Sequence, residues 1–179
     1  LVLNGEIYNY QELRKDLISQ GYKFRTNSDV EVVVHLYQKY GRECIQKLNG
    51  MFAFALYDKQ KNEVWIARDR IGIKPLFYYH KNNSFGFSSE LNAIASFFDA
   101  EISDQSIVDY LGYSYVSAPN SIYKDIYKLS PGEEIILSTK NLDIKKRRYW
   151  SISNFECFTG NEKEAIEKLS YLLEDSIRL

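Results

Sequence analysis

The stretch MFAFALYD, Met51 to Asp58, restricts this chain more than any other part of it. Its alternate positions are apolar on both sides, with Phe52, Phe54 and Leu56 on one and Ala53, Ala55 and Tyr57 on the other. Such a strand must be covered on two faces, whereas a strand with one polar face can leave that face to water. The polar run from Asp58 to Glu63, followed by VWIARD, predicts an antiparallel hairpin, and LFYYH with SFGFSS around Lys81 to Asn83 predicts a second. Antiparallel strands buried on both faces require layers above and below the sheet.

Two segments supply one cover. Tyr10, Leu13, Leu17 and Ile18 recur at helical spacing ahead of Gly21, so Tyr10 to Gln20 reads as an amphipathic helix. In RTNSDVEVVVHLYQKYG three successive valines favour a strand, but Ser28 with Glu31 is a capping box. Val30, Val33, Val34 and Tyr37 then make one helical face and Gly41 closes the segment, which predicts a helix over Asp29 to Tyr40. With a second sheet as the other cover, the expected fold is α+β: a four-layer αββα sandwich of two antiparallel sheets, plus a C-terminal helix. The 15 Tyr and 10 Phe suit that much pleated sheet. Short helices are expected from about Leu91 to Phe98 and near Gln105 to Leu111, then a turn at Ser130-Pro131-Gly132 and a strand EIIL joined by a hairpin to RRYW.

Beyond Trp150 the pattern changes. Residues 151–160 have weak periodicity and read as a linker, after which Asn161 and Glu164 cap a helix whose Ile166, Leu169, Leu173 and Ile177 form one apolar face. The expectation is one compact domain over 1–150, a linker over 151–160, and over 161–179 the first helix of a following domain. An opening leucine with no methionine before it gives the expectation of a piece of a longer polypeptide.

Charge and cysteine usage narrow the function classes. The net charge is -1 and the basic run KKRR, Lys145 to Arg148, reads as a solvated strand edge, so no nucleic-acid partner is expected. No apolar run approaches the ~20 residues of a membrane span, and no membrane partner is expected. Cys44 and Cys157 lie far apart without CxxC or Cys/His spacing, which predicts no metal site, no disulfide framework and a cytoplasmic location. Cys44 reads as a buried spectator. His35 and His80 have no partner at a motif distance and do not read as general bases. Arg68, Asp69, Arg70, Gly72, Lys74 and Pro75 read as a charged loop that pins the sheets by ion pairs and a rigid turn.

At the start of the chain, LVLNGEIYN places Asn4-Gly5 after an aliphatic run, which reads as a strand running into a reversal or bulge. On the same terms Glu6 is a solvated strand-end charge, and Asp29 is an acidic residue favoured by the dipole at a helix start.

Four blocks taken in order, LNGEIYNY, TNSDVEVV, LNGMFAFALYDKQKNEVWIARDRIGIKPLFYY and SSELNAI, resemble the glutamine-hydrolysing half of asparagine synthetases. These are class II glutamine amidotransferases, with the αββα fold of the N-terminal-nucleophile hydrolases. The similarity runs from Leu1 to about Ser89 and continues more loosely through KLSPGE and RRYW. The resemblance implies hydrolysis of glutamine to glutamate and ammonia, and delivery of that ammonia to an ATP-dependent synthetase domain in cis that amidates aspartate.

Residue by residue, the resemblance implies that the side-chain amide of Asn4 and the backbone N–H of Gly5 form the oxyanion hole. It implies that Glu6 holds the amino-acid end of bound glutamine and that Asp29 pairs with its α-ammonium. Pre-aimed donors suit a tetrahedral oxyanion, and glycine lets the backbone come close to a substrate. The pattern also departs from the family. The family's N-terminal cysteine nucleophile, whose own amine is the base, and its carboxylate-binding arginine are not among these residues. Neither is the Gly-rich pyrophosphate loop of the synthetase half, so ATP and magnesium are expected there and no cofactor is expected here. The chain by itself is expected to be inactive, and exposed sheet edges are compatible with a homodimer. Two other readings stay open: an amidotransferase of a different carboxylate acceptor, and a non-catalytic binding or scaffolding module.

Overall fold

A computed structural model of the protein describes residues 1–178. In chain order it contains β1 (Val2–Ile7), α1 (Tyr10–Ser19), α2 (Asp29–Tyr40), β2 (Gly50–Asp58), β3 (Glu63–Arg68), β4 (Phe77–Lys81) and β5 (Ser84–Ser88). It continues with α3 (Leu91–Phe97), α4 (Asp104–Tyr113), β6 (Ile126–Lys128), β7 (Glu133–Ser138), β8 (Ile144–Arg148) and α5 (Glu162–Arg178). Leu179, the end of the helix expected over 161–179, lies outside the described residues.

The strand that demanded two covers has them. β2 sits inside a five-stranded antiparallel sheet ordered β1-β2-β3-β7-β8. Its Phe52, Phe54 and Leu56 pack with Trp65 against Leu17 of α1 and Val32, Val33 and Leu36 of α2. Phe54 meets Trp65 edge-on at 4.8 Å and Tyr37 stacks on the same indole at 5.4 Å, geometries that add to plain area burial. On the opposite face Ala53, Ala55, Ile66 and Ile135 meet Leu76, Tyr78 and Leu129. Tyr78 belongs to the second sheet, ordered β5-β4-β6, whose outer face is covered by Ile94 and Ala95 of α3. The layers are therefore α1 and α2, sheet, sheet, α3, and the αββα sandwich holds. Tyr57, at the end of β2, is the exception and is exposed.

Several local expectations need correction. Val32, Val33 and Leu36 form the buried face of α2, while Val30, Val34 and Tyr37 are half-buried. The capping box at Ser28 forms only in part: the Ser28 hydroxyl accepts from Val30 N–H at 3.2 Å, but Glu31 reaches past it to Arg25 N–H at 2.8 Å and Thr26 N–H at 2.7 Å. β6 escaped the sequence reading because three residues show no period. The two hairpins lie in different sheets, and the loop joining them is pinned without ion pairs among the described residues. Instead, buried Asp69 accepts backbone N–H groups from Phe52, Ile71, Ile73 and Lys74, and Arg68 donates to the carbonyls of Lys74, Leu129 and Gly72. KKRR lies on β8, the exposed far edge of the larger sheet, as expected.

Candidate active site

β1 is the other edge of the larger sheet, and it does not end in a turn at Asn4-Gly5 but runs straight through to Ile7. Leu3 and Ile7 pack into the helix-side core, so the two-residue period of a strand turns Asn4 to the other face. There Asn4 pairs with Ala53, whose side chain faces the second sheet. The result is an exposed carboxamide at the mouth between the sheets. Its Nδ2 donates to Ser89 Oγ at 3.1 Å, and Ser89 directly follows β5, so this hydrogen bond spans the two sheets. Around it is a cleft of ≈ 190 Å³ lined by Asn4, Ala53, Ala55, Leu76, Phe87, Ser88 and Ser89. An amide nitrogen carries two protons, so with one on Ser89 the other is free for a ligand oxygen.

Glycine is required beside Asn4 for a backbone reason. Gly5 has φ +138°, and a Cβ there would stand 2.0 Å from the Met51 carbonyl oxygen. Opposite, a Cβ on Gly50 would stand 2.2 Å from the Glu6 carbonyl oxygen. Both glycines let β1 and β2 approach closely, and any side chain would force the edge strand away from its partner.

Asp29 opens α2, as its sequence position suggested, and it also reaches across to β1. Its Oδ2 accepts from Ile7 N–H at 3.0 Å, while Oδ1 accepts from Val30 N–H at 2.9 Å and from the Ser28 hydroxyl at 3.3 Å. The half-buried carboxylate is thus fixed by both elements. Ile7 is three residues from Asn4, roughly 10 Å along a strand. Glu6 is exposed, and among the described residues its carboxylate accepts no hydrogen bond. Asn4 alone of the four expected residues lines the cleft, while Gly5, Glu6 and Asp29 are arrayed beside it along β1. The neighbouring Glu31 carboxyl is held down at about 2, first by the Thr26 hydroxyl and then by the Arg25 N–H. Ser88 and Ser89 were not singled out from sequence, although SSELNAI carried the signal.

Neither cysteine approaches the cleft. Cys44 is buried in the helix-side core, behind the sheet from Asn4, and burial first, then the charges of Glu134 and Glu43, pushes its thiol up to about 12. Such a thiol is unreactive near neutrality. Cys157 is exposed in the segment before α5. His35 is held by Gln38 and flanked edge-on by Phe24, and His80 bonds the Leu142 carbonyl. Both serve the fold. No helix among the described residues is long and apolar enough to cross a membrane.

The glutamine amidotransferase domain pattern matches residues 1–150. A putative asparagine synthetase [glutamine-hydrolyzing] of Methanocaldococcus jannaschii is 34% identical over 183 residues, covering 100% of this chain and 35% of that protein. An asparagine synthetase [glutamine-hydrolyzing] of Bacillus subtilis is 34% identical over 180 residues, covering 99% of this chain and 29% of that one. The chain therefore spans about a third of the length of these curated relatives. Among solved structures, the glutamine phosphoribosylpyrophosphate amidotransferase of B. subtilis superposes with a TM-score of 0.60 at 24% identity, over 83% of this chain and 28% of that one. That likeness bears on the fold alone.

Proposed function

The chain belongs to the glutamine amidotransferase domain family, and from that premise we propose that it is the glutaminase part of an ATP-dependent asparagine synthetase. It occupies residues 1–150, with 151–160 a linker and α5 the beginning of a synthetase part that takes up ammonia. The observation that carries the reading is the carboxamide of Asn4, held by Ser89 at the mouth between the sheets with one donor to spare. When a nucleophile adds to the side-chain amide of glutamine, the carbonyl oxygen becomes an oxyanion. Asn4 Nδ2–H and the Gly5 N–H stabilise it, and because β1 is fixed by β2 and Asp29 they do so with little reorganisation. Asp29 and Glu6 then hold the amino-acid end of the substrate further along β1, with Asp29 on the α-ammonium.

The family resemblance makes the nucleophile of this reaction an N-terminal cysteine, and neither cysteine here stands in for it: Cys44 is sealed in the helix-side core and Cys157 does not line the cleft. The named relatives support asparagine as the product, and a cytoplasmic location fits two free cysteines. The test is an activity assay in two forms. The full-length polypeptide supplied with glutamine, aspartate and ATP is expected to yield glutamate and asparagine, and the 179-residue polypeptide alone to yield no glutamate above buffer. Turnover by the latter contradicts the assignment of the nucleophile, and a product other than asparagine contradicts the acceptor.

A further inference from the structure

α4 is a well-formed helix with almost nothing beneath it. Ser103 caps its start, the hydroxyl accepting from Ser106 N–H at 3.3 Å, and Ser114 in the left-handed region closes its end with an N–H to the Tyr110 carbonyl at 2.8 Å. Ser106 is its buried residue. Ile107, Val108, Tyr110, Leu111, Tyr113 and, just past the helix, Tyr115 are all exposed, Leu111 by 78% and Tyr113 by 72%. Ile107, Tyr110 and Leu111 stand at i, i+3 and i+4 and share one face, flanked by Val108. A helix apolar over so much of its surface is ordinarily covered, and a patch rich in tyrosine and leucine at one place marks an interaction surface.

α5 has the same property. Ile166, Leu169, Leu173 and Ile177 lie along it uncovered. It follows the end of the amidotransferase match at residue 150, yet the M. jannaschii relative aligns over the whole chain and continues for about two thirds of its own length beyond what this chain covers. α5 is therefore grouped with that remaining part.

We propose that the apolar face of α4 is the surface on which the synthetase part of the polypeptide, the part that α5 begins, docks against the glutaminase. The inference rests on the function proposed above. Area favours this occupant over a second copy. A helix of 10 residues is about 15 Å long and 10 Å wide, whereas a stable dimer between free chains buries about 800 Å² on each partner. A tethered domain needs far less, because the linker keeps it at high effective concentration. One partner also covers both bare helices.

Hydrogen exchange over residues 106–116 tests the proposal in the full-length polypeptide and in the 179-residue polypeptide. Amides of α4 are expected to exchange at least about 10-fold more slowly in the full-length form. The double variant Ile107→Asp, Leu111→Asp is expected to abolish that difference while leaving the melting temperature of the 179-residue polypeptide unchanged. In the full-length form it is expected to lower glutamine-dependent asparagine formation by about 10-fold and to spare ammonium-dependent formation. Equal exchange in the two forms overturns the proposal, as does a dimer of the 179-residue polypeptide that Leu111→Asp dissociates. Should the unaltered full-length protein make no asparagine from either nitrogen source, the functional reading fails by itself, and the exchange comparison still decides whether α4 is covered.

Discussion

The two faces of β2 are made from the same nine residues and do opposite things. Toward α1 and α2 it presents Phe52, Phe54 and Leu56, which close the core so completely that even the Cys44 thiol is out of reach of water. Toward the second sheet it presents Ala53 and Ala55, and the volume those alanines do not fill is the cleft in which the Asn4 amide stands. Alternation of large and small along one strand therefore separates stability from access. One side holds the edge strand in place and the other leaves an open cleft beside Asn4.

The comparison can be broken most forcefully from the large side. Phe54→Ala is expected to cost about 3–5 kcal/mol, since the cavity it leaves under Trp65 cannot collapse between fixed elements; denaturant unfolding measures it, and a cost under 1 kcal/mol contradicts a close-packed helix face. On the small side Asn4→Ala is expected to leave stability nearly unchanged while lowering glutaminase turnover of the full-length polypeptide by about 100-fold to 1,000-fold. Ammonium-dependent synthesis serves as the internal control. Ala55→Leu should do the reverse of Phe54→Ala, filling the cleft: a loss of about 1–3 kcal/mol from overpacking is expected together with weakened glutamine binding by calorimetry.

Removing the Ser89 hydroxyl, which accepts a hydrogen bond from Asn4, is a milder change. Ser89→Ala is expected to cost about 1 kcal/mol or less in stability and to reduce kcat more than it raises KM, with Ser89→Thr restoring most of the loss. The smallest effect at neutral pH belongs to Cys44. In the unfolded chain the Cys44 thiol ionises near its ordinary value of 9, but in the fold it holds its proton to about 12. The folded value is the higher one, so this contribution to stability is intact below pH 9 and is lost as pH rises toward 12. Tyr149, whose buried hydroxyl donates to the Arg68 carbonyl, is raised as well and adds to the loss on the alkaline side. Thermal melts from pH 7 to 11 should show the decline, and Cys44→Ala should flatten part of it.

The faces of β2 were legible because a period of two in apolar residues has few other solutions. The hairpins were legible for a related reason: Asn82 and Asn83 both adopt positive φ at the tip of β4-β5, and asparagine tolerates that conformation at little cost. Asn4-Gly5 misled for the same reason. A pair that usually bends the chain here sits inside a strand, where the glycine is needed by the Met51 carbonyl pressed against it, a contact between residues 46 positions apart in sequence. Glu31 was assigned to a cap and instead clamps the segment before the helix, which depends on how Arg25 and Thr26 approach it. The role of Ser89 depends on two sheets meeting, so no local pattern could assign it. Resemblance named Asn4 for catalysis, and only the fold shows its amide turned into the cleft.

That orientation can be read directly from the side-chain amide of Asn4 by ¹⁵N-correlated NMR on the 179-residue polypeptide during titration with L-glutamine. The account predicts saturable shifts of the Asn4 Nδ2 proton pair and of the Gly5 and Ile7 amides, with D-glutamine leaving them in place. An Asn4 amide that stays unmoved, whether L-glutamine binds elsewhere or nowhere, contradicts it.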